Sequence, residues 1–226
     1  TTMAERSTNV ARRPRRKRDP EGTREAILEA ARGVLAQDGK EGLSVAQVAQ
    51  LAGANRGTPY QHFQTREQLI EATAAWVAEK LNQAAFGDPA TTHDTPVDAL
   101  VEKVMGGLSE FAMENPELGR VWLYELLSSA RPSADPFWRQ YKEQMERFTH
   151  TDFARPGIDV EVHSVVMLAG TFLWPVWVRA HARTAKERKE KTERFTREML
   201  RLSLQGTLRP EKFPDLDAKV GGKKRK

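Results

Sequence analysis

Five residues in the run "SVAQVAQLAGANRGTPYQHFQTREQLI" (Ser44 to Ile70) carry side chains suited to reading and gripping a nucleic acid. Arg56 can donate to guanine edges and Gln61 can pair with adenine, while the hydroxyls of Thr58 and Tyr60 reach phosphate oxygens. Gly57 removes side-chain bulk where backbone would approach DNA, and Arg66 opens the next helix within reach of a phosphate. His62 has no His, Cys or carboxylate at i+4, so a metal-ligand or general-base role finds no partner.

Other chemistries find no foothold. The chain has no cysteine, which removes thiol nucleophiles, thiolate metal sites and disulfides and fits a reducing compartment. No phosphate-cradling or dinucleotide-binding glycine pattern, no G-x-S-x-G and no H-E-x-x-H occurs, so no catalytic residue, metal or cofactor is assigned. The five histidines are scattered, and His93-Asp94 reads as a solvated loop. No apolar run reaches the roughly 18 residues needed to span a bilayer, and the N-terminus lacks the apolar core of a signal peptide. A soluble, cytoplasmic protein with no membrane partner is expected.

With 226 residues, 39% hydrophobic content, five Trp and nine Phe, the chain can bury a substantial core. The net charge of +5 is unevenly spread, with "RRPRRKR" at Arg12 to Arg18 and "KKRK" at the end. Such like-charged blocks do not pack, so both ends are expected to be flexible. They serve either as solubilising tails or as arms that gain DNA affinity by releasing counterions.

Helical spacing dominates the elements that must position these residues. Ile27, Ala31, Val34 and Leu35 form one stripe, stopped by "DGKEG" with Gly39 at a left-handed cap. Ser44 is an N-cap candidate with Gln47 at capping-box spacing, followed by Val45, Val48, Ala49 and Leu51. Gly53 makes a turn, and a third segment runs from about Asn55 as its cap to Phe63, which places Pro59 at the edge of the first turn. Two short helices about a Gly turn make a helix-turn-helix unit.

Beyond it, apolar positions recur at helical spacing through Leu69, Ala72, Trp76 and Leu81; Leu108 and Phe111; and Trp122, Leu123 and Leu126. The same spacing continues through Phe137, Trp138, Tyr141, Met145 and Phe148, and ends at Phe195, Met199 and Leu202. Between these lies a nearly continuous apolar run from Val160 to Val178. No segment alternates as a strand would, so the chain reads as all-α with about nine helices.

The stretch "GLSVAQVAQLAGANRGTPYQHFQTREQLI", preceded by "TREAILEAARGVLAQDG" (Thr23 to Gly39), resembles the DNA-binding domain of TetR-family transcriptional regulators over about residues 21 to 70. By that resemblance Tyr60 and His62 match a backbone-contacting aromatic and histidine. Ser44, Arg56, Gly57 and Thr58 match positions that touch phosphates or bases, and Arg66 matches a basic residue usually filled by lysine. Gln47 and Gln61 complete the candidate contacts. Pro59 departs from a commoner Leu or Ile, and Ala46 and Gln47 stand where some members use larger contacts.

The resemblance implies a variable helical half that forms a homodimer and encloses a small-molecule pocket whose ligand releases the DNA. Trp122, Phe137, Trp138, Tyr141, Met145, Phe172, Trp174 and Trp177 are then candidates for an apolar cavity taking a lipophilic or aromatic effector, and ordinary core packing is the competing reading. Pro175 should kink its helix and open room beside Trp174. Met167, Leu168, Phe172, Phe195, Met199 and Leu202 are the candidates for a dimer face.

The expected organisation is a flexible basic arm (1–20), a three-helix helix-turn-helix domain (21–66), a ligand-binding and dimerisation domain (67–208) and a flexible basic tail (209–226). The function expected is that of a bacterial, dimeric, ligand-responsive repressor on a palindromic double-stranded operator. Two other classes remain: an architectural DNA-binding protein without effector, and a helical enzyme acting on a lipophilic substrate.

Overall fold

Short local signals start and stop the helices. The structure is a computed structural model that describes residues 20–87 and 96–221. Ten α-helices lie among the described residues, one more than the sequence suggested. The basic arm at Arg12 to Arg18, the final "KKRK" and His93-Asp94 fall outside the described residues.

The first three helices are α1 (Pro20–Gly42), α2 (Val45–Leu51) and α3 (Thr58–His62). Next come α4 (Arg66–Phe86), α5 (Val97–Glu114), α6 (Pro116–Ser128) and α7 (Pro136–Thr149). The chain closes with α8 (Val160–His181), α9 (Ala185–Gly206) and α10 (Pro214–Gly221). Thr65 caps α4 by accepting from Gln68 N, and Asp159 caps α8 by accepting from Val162 N. Thr184 and Glu187 form a reciprocal capping box on α9. Asp135 caps α7 through Trp138 N at 2.8 Å and also accepts from Trp122 Nε1 at 2.9 Å, which ties α6 to α7.

Packing explains the order of the layers. α4 is the central helix, touching α1, α5, α6 and α7, and its buried side chains Leu69, Ile70, Thr73, Val77 and Leu81 belong to one continuous core. That core runs from Ile27 in α1 to Phe172 in α8, so the N-terminal helices and the helical body share apolar surface rather than stacking as separate cores. Gly119 in α6 lets α8 come close. A Cβ there would lie 2.7 Å from Phe172 Cδ1, a distance only a displaced ring could relieve.

Charge also crosses the junction. Glu117, in the first turn of α6, lies 3.8 Å from Arg32 of α1 and pairs with Arg179 of α8. Burial opposes its charge, but its own backbone N–H, Arg179 and Arg32 together hold its carboxyl below the ordinary glutamate range. A lowered folded value contributes stability that is present above the unfolded value and lost as pH falls through the folded one. Glu117→Gln is therefore expected to cost less than about 1 kcal/mol at neutral pH. Urea titrations should show the gap to the parent closing in strong acid; a gap independent of pH would mean that the carboxylate charge is not what matters.

Two sequence expectations need correction here. Residues 209–221 are not a flexible tail: Phe213 and Leu216 are buried with Leu204 and Leu208, because two apolar side chains outweigh a charge-rich composition once a neighbouring surface is available. Helix α8 is long and apolar enough to cross a membrane by length and composition, contrary to the reading that no run qualified. It packs on α5, α6 and α7 while leaving an apolar face outward. Pro175 lies inside α8, buried, and the helix continues through it to His181.

Candidate functional site

The α2–α3 unit is anchored by small and apolar residues and leaves its other face open. Val48 and Ala49 are buried in α2, and Pro59 and Phe63 are buried beneath α3. Gly53 adopts φ 64°, a conformation that an L side chain resists, and the turn closes with Ala54 N donating to Ala49 O at 2.9 Å. Leu51 and Tyr60, both more than half exposed, stand on the open side although apolar surface there has nothing to cover it.

Ser44 occupies the N-cap position of α2, but its side chain makes no capping hydrogen bond, so the expected box with Gln47 does not form and both side chains face solvent. The cap of α3 is Gly57, not Asn55, and α3 is shorter than expected; Pro59 consequently sits in the first turn, where its missing N–H leaves no internal bond unmade. Arg56, Gly57, Tyr60 and Gln61 are exposed, and Thr58 and His62 are half-buried. These residues form one surface. From Ser44 to Arg66 the chain contains no Asp or Glu, so nothing on that stretch repels a phosphate.

Arg66 departs from its expected place. Its Nε donates to Leu43 O at 2.9 Å, its Nη2 donates to Lys40 O, and its remaining nitrogen lies 3.5 Å from Glu67. The guanidinium thus satisfies carbonyls freed at the C-terminal end of α1 and is committed before DNA could arrive. Arg66→Met is expected to destabilise the fold by about 1–2 kcal/mol, since charge-assisted bonds to carbonyls are lost. Were Arg66 a phosphate contact instead, thermal stability would hold and only DNA affinity would fall.

A second feature is a cavity of ≈ 460 Å³ bordered by α4, α5, α7, α8 and the end of α9. Of the aromatic and Met residues expected to line a cavity, only Tyr141 and Met145 do so. Phe137, Trp122 and Phe172 pack on one another, with Trp122 4.9 Å from Phe172 and 5.4 Å from Phe137 between ring centroids, and Trp138 is buried beside them. These are core residues. Trp174 stacks on Phe195 at 5.4 Å and donates to Lys191 O, which fills the room expected beside the proline, and Trp177 points outward.

The lining that sequence reasoning missed comes from distant segments: Val101, Val104 and Met105 of α5, Gln140 and Gln144 of α7, and His163 and Met167 of α8, with Ser203, Thr207 and Leu208 closing the end. One local signal was available, because Tyr141, Met145 and Phe148 continue the α7 stripe past the buried Phe137 and Trp138. Tyr141 borders the cavity and is half-buried, and burial pushes its hydroxyl up to about 12. Burial also lowers the His163 value, so its ring is held neutral.

A sequence model described as "Bacterial regulatory proteins, tetR family" matches residues 27–73, which spans most of α1, the helix-turn-helix and the start of α4. Over these residues the chain is similar to the tetR family. It is similar to the HTH-type transcriptional regulator CymR of Pseudomonas putida, with 29% identity over 93 residues, or 41% of this chain. That match spans 45% of CymR, less than half of the relative's length.

Among solved structures, a TetR family transcription regulator from Marinobacter aquaeolei VT8 superposes with a TM-score of 0.61 at 18% identity, covering 78% of this chain and 94% of that one. A gamma-butyrolactone receptor described as ArpA-like gives 0.62 at 20% identity, covering 90% and 98%. These two likenesses extend the tetR-family fold to the helical body, beyond the segment that the family model matches.

Proposed function

We propose that this chain is a homodimeric tetR-family transcriptional repressor that is released from a palindromic DNA operator when a lipophilic small molecule enters the cavity between α5, α7 and α8. The observation that carries the reading is the acid-free outer face of α2 and α3, held open by buried residues on the opposite side. Tyr60, Thr58, His62 and Ser44 grip phosphates, Arg56 and Gln61 read bases, and Gln47 and the backbone at Gly57 lie against the duplex. The basic arm at Arg12 to Arg18 adds non-specific affinity. Such a protein works in the cytoplasm and needs no catalytic group or cofactor.

The dimer face differs from the one expected from sequence. Leu168 and Phe172 are buried and Met167, Phe195 and Met199 half-buried, whereas Val162, Val165, Val166, Leu173, Val176 and Trp177 are exposed along α8. Their spacing places them on one stripe, and a second copy related by a two-fold axis would bury both stripes at once. Leu202, which was expected at this face, is exposed on α9.

The cavity lies beside α4, the helix that begins at the end of the recognition unit. Ligand binding therefore bears on the helix that sets the angle of α2 and α3. The ligand acts only through a difference in affinity between the DNA-binding and released states.

Tyr60→Ala tests the DNA half. With the parent's preferred operator found by selection from random duplexes, fluorescence anisotropy should show affinity lower by roughly 1–3 kcal/mol. The melting temperature should stay within a few degrees of the parent, since the ring is exposed. A parallel loss of stability, or unchanged affinity, would place Tyr60 outside the interface.

A further inference from the structure

The charge balance of the cavity lining is more specific than its size. Among the described residues no Asp, Glu or Lys lines it, and the one formal charge in that lining, Arg147, is paired at the surface with Glu143 Oε1 at 2.6 Å. A charged ligand would give up its hydration and find no counter-charge free to replace it. An uncharged ligand meets no such cost.

The lining is not uniformly apolar, however. At the end where α8 begins and α9 stops, His163 Nε2 lies 3.1 Å from Thr207 Oγ1, and both residues border the cavity. The threonine is held in place from its backbone: its N–H donates to Ser203 O at 2.7 Å, and its carbonyl accepts from Arg155 N at 2.8 Å. Arg155 adds a bond from Nε to Leu208 O, next to the bridge between Ala154 and Leu208. The hydroxyl is therefore pre-positioned and does not have to be ordered when a ligand arrives.

Hydrogen-bonding capacity remains at this end. A hydroxyl offers one donor and two acceptor positions, of which the contact with His163 uses one, and His163 Nδ1 is buried without a partner. Burial keeps the imidazole neutral, so it offers one donor and one acceptor and not a cation. Away from this pair, Met105, Met145 and Met167 supply unbranched side chains that adapt to a bulky or elongated apolar body.

We infer that the cavity selects an uncharged lipophile carrying a hydroxyl or carbonyl oxygen, and that the His163–Thr207 pair is what reads that oxygen. This rests on the reading of the cavity as the effector site. It goes further by excluding lipophilic acids and amines and by naming the specificity-determining pair.

The test uses three probes of equal chain length: 1-decanol, decanoate and decylamine. Each is titrated into the full chain by calorimetry at mildly alkaline pH, below its self-association range. Decanol should bind at least about tenfold more tightly than either ion. Thr207→Val keeps the side-chain shape and removes the hydroxyl; it should weaken decanol roughly two- to tenfold, the effect of one hydrogen bond, without lowering the melting temperature. His163→Leu gives the same readout if the valine variant does not fold.

Equal or tighter binding of decanoate or decylamine overturns the proposed ligand class and leaves the effector site standing. Decanol affinity unchanged in both variants overturns the role of the pair. Binding that survives Val104→Trp, which fills the cavity, lies elsewhere and overturns the proposal. Failure of all three probes to bind overturns both the ligand class and the effector reading.

Discussion

Phe137→Ala is expected to lower the stability of the folded chain by about 3–5 kcal/mol, the upper range for truncating an aromatic ring in a core that cannot collapse. Phe137 is fully buried, and it contacts Trp122 edge-on at 5.4 Å and Phe172 at 6.1 Å between centroids. Its neighbours have little freedom to move into the void. Trp122 is held by the bond from Nε1 to Asp135, and Phe172 already lies against the bare Cα of Gly119. The lost transfer energy therefore adds to a cavity that stays open.

The same measurement separates core from pocket. Met145→Ala, which enlarges a cavity that is already present, should cost clearly less than the phenylalanine truncation. Urea denaturation of both variants decides the matter. A loss below about 1 kcal/mol for Phe137→Ala would mean that the cluster is loosely packed, and the aromatic residues would return to being candidates for a ligand site.

Val166→Glu should turn the proposed dimer into a monomer and weaken operator binding by roughly 10²-fold or more. A palindromic operator is held by two linked recognition units, and loss of the link removes the avidity of the second. Val166 is 61% exposed at the middle of the α8 stripe, with Val162 one turn before it and Leu173 two turns after it. In the proposed dimer a carboxylate there would be buried against apolar partners with nothing to neutralise it. In the isolated subunit it would sit in water, so the fold itself should be little affected. Sedimentation velocity and anisotropy on the same samples test this. A variant that still sediments as a dimer would show that α8 is not the interface.

The helix-turn-helix was legible because everything that defines it is local. The Gly53 turn, the buried Val48 and Ala49, and the polar run from Arg56 to His62 lie within about five turns of helix, and periodicity at three and four residues assigns inside and outside directly. Apart from the caps of α2 and α3, the detail that spacing could not give is one where a side chain found a distant partner. Arg66 follows the motif, yet its guanidinium is bound to carbonyls more than 20 residues earlier, at the end of α1. Spacing along one helix carries no information about such a partner.

The helical body shows the same division more sharply. Periodicity identified the apolar residues of α7 and α8, but an apolar helix face can meet the core, a cavity or another copy of the chain, and the sequence looks the same in each case. Phe137 and Phe172 went to the core, Met145 and Met167 to the cavity, and Val166 and Trp177 to the surface. Phe213 and Leu216, hidden in a charged C-terminal segment, were drawn into packing by Leu204 and Phe153, which no local rule could foresee.

By itself the sequence determined the all-helical class and the helix-turn-helix unit, and its motifs there resemble one family. Tertiary structure alone decided which apolar faces are buried, where the cavity lies and which arginine is already committed. The physical reason is range: helix formation and turns are set by interactions between residues a few positions apart, whereas cavities and interfaces are set by how faces from separate helices meet.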